Sequence, residues 1–154
     1  MLNNYLYRQM SDLDAEAIGL GLEKENLSYL KYFTAYKNRI ELRNDISRAK
    51  QDLFFTVFHE SSICGCFFLR GFDAGFKVPS FGVYVISNYS RKGVASFALG
   101  CAKKVLQSNH CDKLMLKVSV DNIHAKKLYI RAGFQIDGCC PDTGNLIMHC
   151  SLDK

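Results

Sequence analysis

The segment most able to do chemistry is an apolar strand that runs into a basic turn and then a helix. Apolar and aromatic residues fill 81–86, and the turn reads Ser87-Asn88-Tyr89-Ser90-Arg91-Lys92-Gly93 before a helical pattern begins at Val94. Such a turn gathers unpaired backbone N–H groups and the positive end of a helix dipole, which predicts an anion-binding site. The spacing GxxxxGK[ST] and the three glycines of a dinucleotide fingerprint are absent. Taken alone, the turn fits an ordinary strand-to-helix connection equally well.

A second segment, Asn122–Phe134, has good helix signals at both ends. Asn122 is a favourable N-cap, and Gly133 ends the helical pattern just before a strand. The pattern N-x-x-A-x-x-L-Y-x-x-x-G-F is matched here, and it lies about thirty residues after the basic turn. In both motif and spacing, the sequence resembles the GNAT superfamily of acyl-CoA N-acyltransferases.

The resemblance implies acetyl-CoA as the acyl donor and a specific set of contacts. Backbone of the strand would bind the pantetheine arm, amides of the turn would hold the pyrophosphate, and Asn122 would contact the pantetheine. Tyr129 would face the thioester sulfur as the catalytic acid, with a core tyrosine as the alternative. The expected cofactor-binding residues are Val83, Tyr84, Val85, Arg91, Lys92, Gly93, Val94, Ala95, Ser96, Asn122 and Lys127.

Two features depart from the family pattern. Ser90 stands where the family has Gln or Arg, and Arg91 stands where it usually has a second glycine, although Gly93 and Ala95 fit. Because main-chain amides would hold the pyrophosphate, these changes should lower affinity more than they impair function. The strand 81–86 also carries no acid to serve as the base. The remaining candidates for a base are His59, Glu60, Asp73 and His124.

Aromatic residues predict where the acceptor binds. Tyr29, Tyr32, Phe33 and Tyr36 would share one face of a helix, and the loop 70–77 adds two aromatics and Asp73. Aromatic walls with an acid suit an amine on a sugar or a nucleotide-linked sugar. The alternative is that these rings only join the helices to the sheet. The predicted substrate-binding residues are Tyr29, Tyr32, Tyr36 and Asp73.

Charge is unevenly distributed along the chain. The protein has 154 residues and a net charge of +5, and 91–131 holds nine Lys or Arg against two Asp. This basic segment indicates an anionic partner, either a small polyphosphate ligand or nucleic acid. A small polyphosphate ligand is what acetyl-CoA would provide, so no nucleic-acid partner is expected.

Cysteine usage and hydropathy exclude other classes. The seven cysteines form no CxxC pair and no HxxxH pair occurs, so no metal site is expected. An odd number of cysteines and no signal-like first segment indicate a reduced, cytoplasmic protein. The apolar runs are far shorter than the roughly 20 residues of a membrane helix, so no membrane association is expected.

The elements that must position these motifs follow one another closely over 1–154, which predicts one domain of about average composition. Their order is one strand, helices, three strands, a helix, a strand, a helix and two strands. This order predicts the α/β (α+β) class, with a mixed central sheet of six to seven strands and helices on both faces. The expected strands are 5–7, 53–59, 63–69, 81–86, 114–120, 134–140 and 146–152; the expected helices are 11–22, 27–33, 41–50, 94–107 and 122–132.

Together these features predict an acetyl-CoA-dependent N-acetyltransferase in which a small primary amine attacks the thioester directly. An amino sugar, free or nucleotide-linked, is the favoured acceptor, and a protein amine or another metabolite comes next. A non-catalytic acyl-CoA-binding module and a nucleic-acid-binding domain are the competing classes. A homodimer is left open.

Overall fold

A seven-stranded mixed sheet runs through the molecule in the order β1-β2-β3-β4-β5-β7-β6, as seen in a computed structural model that describes residues 4–152. The strands are β1 Tyr5–Gln9, β2 Leu53–His59, β3 Ser62–Arg70, β4 Ser80–Val85, β5 Lys113–Val118, β6 Gln135–Cys139 and β7 Leu146–Ser151. The α-helices are α1 Asp12–Lys24, α2 Arg39–Arg48, α3 Val94–Ser108 and α4 Ile123–Arg131, and two short 3₁₀ helices are Tyr29–Tyr32 and Ser87–Tyr89. The predicted class and number of strands are confirmed.

Side-chain alternation along the strands divides the core into two layers. On β3, Phe67 packs with α3 and α4, whereas the next residue, Phe68, packs with α1 and α2. The α1–α2 layer covers β2, β3 and β4 and includes no buried residue of β5, β6 or β7. Helices therefore lie on both faces of the sheet, but the α1–α2 layer leaves one face of β5, β6 and β7 uncovered. We call it the open face; its residues are Lys113, Met115, Lys117, Gln135, Asp137, Ile147, His149 and Ser151.

The start of α1 is fixed by a capping box, which Ser11 and Asp14 form three residues apart. The Ser11 hydroxyl accepts from the Asp14 amide at 3.1 Å, and the Asp14 carboxylate accepts from the Ser11 amide at 3.1 Å. Arg8 of β1 and Thr56 of β2 also donate to Asp14, at 2.6 and 2.9 Å. This buried carboxylate ties the helix to two strands.

Strands β4 and β5 are parallel neighbours that meet at only one registered pair, Ser80 with Met115. Every other neighbouring pair in the sheet is antiparallel and has at least four registered residue pairs. The two strands therefore separate beyond Ser80. Backbone groups of their C-terminal halves face a gap rather than one another.

The predicted second helix over 27–33 is wrong in type and length, since only the 3₁₀ turn Tyr29–Tyr32 forms. The cause is local. The Asn26 side-chain oxygen accepts from both the amide and the hydroxyl of Ser28, at 2.9 and 2.8 Å, and this turn competes with helix formation. The helix expected over 41–50 occurs as α2, and the strand expected over 114–120 ends at Val118.

The crossing of α1 and α2 generates the first prediction. A Cβ added at Gly19 would overlap Cα and Cβ of Arg39 and lie 2.9 Å from its backbone nitrogen, whereas a Cβ at Gly21 would lie 3.8 Å from the Tyr84 hydroxyl. Gly19→Ala should therefore lower the free energy of unfolding by about 1–3 kcal/mol through overpacking. Gly21→Ala, the matched control, should raise it by up to about 1 kcal/mol because alanine favours helix. Urea unfolding of both variants measures the difference, and equal stability of the two would contradict the tight crossing.

Candidate active site

The basic turn is shaped by two residues with left-handed backbone. Arg91 has φ of 62° and Gly93 has φ of 89°, and Gly93 stands at the N-cap of α3. Glycine adopts such angles at little cost, whereas arginine does so uncommonly. The φ of Arg91 gives a physical reason for the glycine that the family pattern usually places there.

The first amides of α3 have no side-chain cap among the described residues. The first intrahelical bond runs from the Phe97 amide to the Gly93 carbonyl at 3.0 Å, so the amides of Val94, Ala95 and Ser96 precede the paired region. Arg91 and Lys92 are exposed beside them. Unpaired amides, a helix dipole and two cations give this turn the properties of a phosphate site.

A contact that the sequence analysis missed holds the turn from behind. The Tyr5 hydroxyl donates to the Lys92 carbonyl at 2.6 Å, and the Tyr5 ring packs against Phe97 and His59 with ring centroids 5.5 and 5.6 Å apart. Tyr5 lies on the edge strand β1, which is 87 residues from Lys92 in sequence. No local pattern could have revealed this pair.

The segment between α1 and α2 is tied to the C-terminal end of β4. Glu25 accepts from the Tyr84 hydroxyl at 2.7 Å and from the Ser87 amide at 2.9 Å. The Tyr29 hydroxyl donates to the Val85 carbonyl at 2.6 Å. Burial, reinforced by Glu25, raises the pKa of Tyr84, so this phenol stays neutral. These bonds fix the strand end from which the basic turn departs.

Tyr129 lies in the core between β4 and the end of α4. It is 9% exposed, and its ring meets Phe81 and Phe134 edge-on with centroids 6.5 and 5.8 Å apart. Its hydroxyl makes no hydrogen bond within residues 4–152. Burial raises the pKa of Tyr129 to about 12, so the phenol keeps its proton at neutral pH and can donate it.

The motif around Tyr129 has a clear structural role. Asn122 caps α4 by accepting from the Ala125 amide at 3.4 Å. Gly133 takes φ of 98°, which lets the Phe134 amide return to the Tyr129 carbonyl at 3.0 Å. The cap and the glycine therefore set where Tyr129 sits along the helix and bring Phe134 onto its ring.

The other expected cofactor-binding residues are distributed around the gap. Val83 and Val85 pack on the α3–α4 core, whereas Tyr84 between them points into the α1–α2 core. Lys127 is exposed on α4. Their roles in binding stay predictions.

The predicted shared face of acceptor aromatics is wrong, because the 3₁₀ turn ends at Tyr32 and Tyr36 lies outside it. Tyr32 is 40% exposed, whereas Tyr36 is 5% exposed and contacts Asp45 through its hydroxyl. Arg70 donates to the same hydroxyl at 3.0 Å. Burial, with a contribution from Asp45, raises the pKa of Tyr36, so it stays neutral.

The four residues that the sequence suggested as a base lie in different parts of the structure. Asp73 accepts from the amides of Lys50, Gln51 and Asp52 at 3.0, 2.8 and 3.3 Å, and so orders the chain before β2. His59 packs against Tyr5 and Tyr89, and Glu60 occupies the tight turn between β2 and β3 with φ of 55°. His124 is exposed in the first turn of α4.

The described residues contain neither a metal-binding cluster nor a membrane-spanning helix. Within residues 4–152, no three His, Cys, Asp or Glu side chains gather in a way that could hold a metal ion. In the same part of the chain, no helix is both long and apolar enough to cross a membrane.

The fold matches solved acetyltransferases over nearly its whole length. Spermidine N-acetyltransferase from Vibrio cholerae, in complex with CoA and spermine, is 18% identical with a TM-score of 0.81, covering 97% of this chain and 96% of that one. PaiA N-acetyltransferase from Thermoplasma acidophilum, in complex with coenzyme A, is 19% identical with a TM-score of 0.77, covering 96% and 98%. YncA from Salmonella typhimurium with acetyl-CoA is 16% identical with a TM-score of 0.77, covering 99% and 96%. No curated protein sequence matches this chain.

A sheet split between β4 and β5, beside an amide-rich turn, defines a fold of the N-acetyltransferase type. The model of the acetyltransferase (GNAT) family matches residues 19–134, and the chain belongs to that family. It is an acyltransferase whose donor is acetyl-CoA.

The contact behind the turn generates the second prediction. Tyr5→Phe removes the hydroxyl that supports Lys92 but keeps the ring, so the CoA dissociation constant should rise about fivefold, the value of a hydrogen bond worth about 1 kcal/mol. Tyr7→Phe is the matched control, because Tyr7 is on the same strand and its hydroxyl makes no hydrogen bond within the described residues. Titration calorimetry with CoA measures both. Equal affinities in the two variants would show that the Tyr5 hydroxyl does not shape the turn.

Proposed function

We propose that this enzyme transfers an acetyl group from acetyl-CoA to the primary amine of a small molecule that also carries an anionic group. A nucleotide-linked amino sugar is the favoured example. The observation that carries the proposal is which charged side chains beside the gap between β4 and β5 already have partners. The carboxylates of Glu25 and Asp45 already have partners in the protein, whereas Lys117 pairs with no carboxylate among the described residues.

The donor side of the proposal is supported by the gap itself. A strand with an unpaired backbone edge can bind an extended amide-containing ligand as an added strand, which is how the backbone of Val83 to Val85 would hold the pantetheine arm. The amides of residues 91–96 would bind the pyrophosphate, with Asn122 and Lys127 alongside. When bound, acetyl-CoA supplies the activated thioester.

The chemistry proposed for the site is direct attack by the amine. As the new C–N bond forms and the C–S bond breaks, Tyr129 donates its proton to the departing sulfur. A proton donor must be protonated at neutral pH, and a phenol with a pKa of about 12 meets that condition. A base must accept the proton that the amine loses.

The acceptor is proposed to approach from the open face, because α3 and α4 fill the opposite side of the sheet with core side chains. Near that approach, Glu25 binds Tyr84 and Ser87, and Asp45 contacts Tyr36 and Arg70. An acceptor with several positive charges would find these carboxylates occupied. Lys117 of β5 is exposed and pairs with no carboxylate among the described residues, so it offers a site for an anion.

Spermidine is the comparison acceptor, since the Vibrio cholerae neighbour is a spermidine N-acetyltransferase. A polyamine presents only positive charge and would meet Lys117. Occupied acids, and a lysine that pairs with no carboxylate among the described residues, therefore favour an anionic amine over a polyamine for this chain.

The third prediction concerns the acceptor. In an assay that measures released CoA, a nucleotide-linked amino sugar should give a higher kcat/KM than a neutral amino sugar, and spermidine the lowest. Lys117→Gln should lower kcat/KM for the anionic acceptor about twofold to fivefold, as expected of an exposed charge pair worth about 0.5–1 kcal/mol, and leave the neutral sugar unchanged. Lys113→Gln is the matched control, on the same face at the other end of β5. Preference for spermidine, with Lys117→Gln indistinguishable from wild type, would contradict the proposed acceptor.

The fourth prediction concerns Tyr129. Tyr129→Phe keeps the ring and its contacts with Phe81 and Phe134, so stability should hardly change while kcat falls by about a hundredfold to ten-thousandfold. The dissociation constant for acetyl-CoA should stay the same, and the loss should be smaller for acyl donors with more acidic thiols. Because the pKa of Tyr129 is raised to about 12, its deprotonation should not reduce wild-type kcat below about pH 11. Near-full turnover by Tyr129→Phe with every donor would make this tyrosine a packing residue.

A further inference from the structure

Asp137 and His149 form a side-chain pair on the open face, apart from every residue assigned to the donor. The Asp137 carboxylate contacts Nδ1 of His149, and this nitrogen is buried and makes no hydrogen bond of ordinary geometry within residues 4–152. The His149 side chain is nevertheless 27% exposed. Because Nδ1 is buried, the exposed part of the side chain is the rest of the imidazole ring. The other ring nitrogen, Nε2, has no partner within residues 4–152.

A β-bulge aims Asp137 at the imidazole. In the pairing of β6 with β7, Gln135 opposes His149 and Ile136 opposes Met148, but the next pair is Gly138 with Ile147. Asp137 is the extra residue in this register shift. Bulges redirect side chains and are frequent beside active sites.

The pair lies next to the point where the sheet splits. Met115 of β5 is registered with Ser80 of β4 on one side and with His149 of β7 on the other. Neighbouring strands are about 4.8 Å apart, so the backbone of His149 lies about 10 Å from that of Ser80, where the gap begins. The side chains of Met115 and His149 lie side by side on the open face, with Met115 on the strand that borders the gap.

His149 is on the opposite face of the sheet from Tyr129. Its neighbours Met148 and Cys150 are buried in the same core cluster as Tyr129, and alternation along β7 sends His149 the other way. With Tyr129 as the acid on one face and His149 as a base on the other, the base lies on the face from which the amine is proposed to attack.

Other charged groups fit the role of a base less well. On the open face the other charged side chains near His149 are Lys113 and Lys117 of β5 and Asp137 of β6. Glu25 is bound to Tyr84 and Ser87 at the end of β4 near the basic turn, away from Ser80. The Asp137 carboxylate favours the tautomer with the proton on Nδ1, which leaves the lone pair on Nε2.

We propose that His149, positioned by Asp137, is the general base that accepts the proton from the acceptor amine, directly or through one water. This inference rests on the proposed acetyl transfer. The acceptor ammonium gives one proton to Nε2, the free amine forms the C–N bond, and the C–S bond breaks as Tyr129 protonates the sulfur. The second proton lost by nitrogen restores the Tyr129 phenol through solvent, and His149 releases its proton to water. Asp137 acts as a positioning residue.

The test compares two acceptors whose need for a base differs. A primary alkylamine, or the amino sugar if it is turned over, is mostly protonated at neutral pH, whereas hydroxylamine is neutral. His149→Gln should lower kcat/KM for the alkylamine about a hundredfold or more and for hydroxylamine far less. His110→Gln, a histidine in the turn after α3, is the control and should behave as wild type.

Asp137→Asn provides the second variant, since it keeps the imidazole but removes the charge that orients it. It should lower kcat about tenfold to a hundredfold, with KM for acetyl-CoA unchanged. Added imidazole should partly restore the activity of His149→Ala but not of Asp137→Asn.

The outcomes separate the inference from the function on which it rests. If wild type acetylates the alkylamine and His149→Gln matches it in rate with both acceptors, His149 is not the base and the acetyl transfer stands. If Asp137→Asn leaves kcat unchanged, Asp137 does not position the base and the proposed pair is overturned. If wild type releases no CoA with any amine, the proposed function fails and the inference fails with it.

Discussion

The organisation of this protein depends on the separation of two neighbouring parallel strands, β4 and β5. Parallel strands need a crossover connection, and α3 provides it. Because the strands meet only at Ser80 and Met115, the crossover begins beside an unpaired backbone edge. The helix N-terminus, with its free amides, therefore stands at the mouth of the gap, so one topological feature creates a place for both an extended arm and a phosphate.

The two faces of the sheet differ in chemistry where the gap lies. On one face, α3 and α4 cover an apolar core in which Tyr129 packs between Phe81 and Phe134. Burial keeps the Tyr129 phenol protonated. On the other side, the α1–α2 layer stops at β4, and the open face carries charged and half-buried residues. A reaction that uses a neutral acid and a solvated base fits this asymmetry between the two faces.

Features that depend on neighbouring residues could be predicted from the sequence. The capping box of α1, the Asn122 cap, the turn at Gly93 and the chain reversal at Gly133 are all encoded within a few positions. The helix expected over 27–33 failed for a local reason that was present but overlooked, the Asn26 turn. Contacts such as Tyr5 with Lys92 or Asp137 with His149 follow from strand register and a bulge, which no short pattern reveals.

Arg91 illustrates how a departure from a family pattern can be read physically. The turn requires a left-handed residue at this position, with φ of 62°, and a non-glycine residue there costs about 1–2 kcal/mol. Arginine nevertheless adds a positive charge beside amides that already favour an anion, and a charge-assisted hydrogen bond contributes about 1.5–3 kcal/mol. The backbone cost and the binding gain are therefore of similar size. A turn of this kind would give up part of its unliganded stability and recover it on binding the phosphate that the proposed function places there.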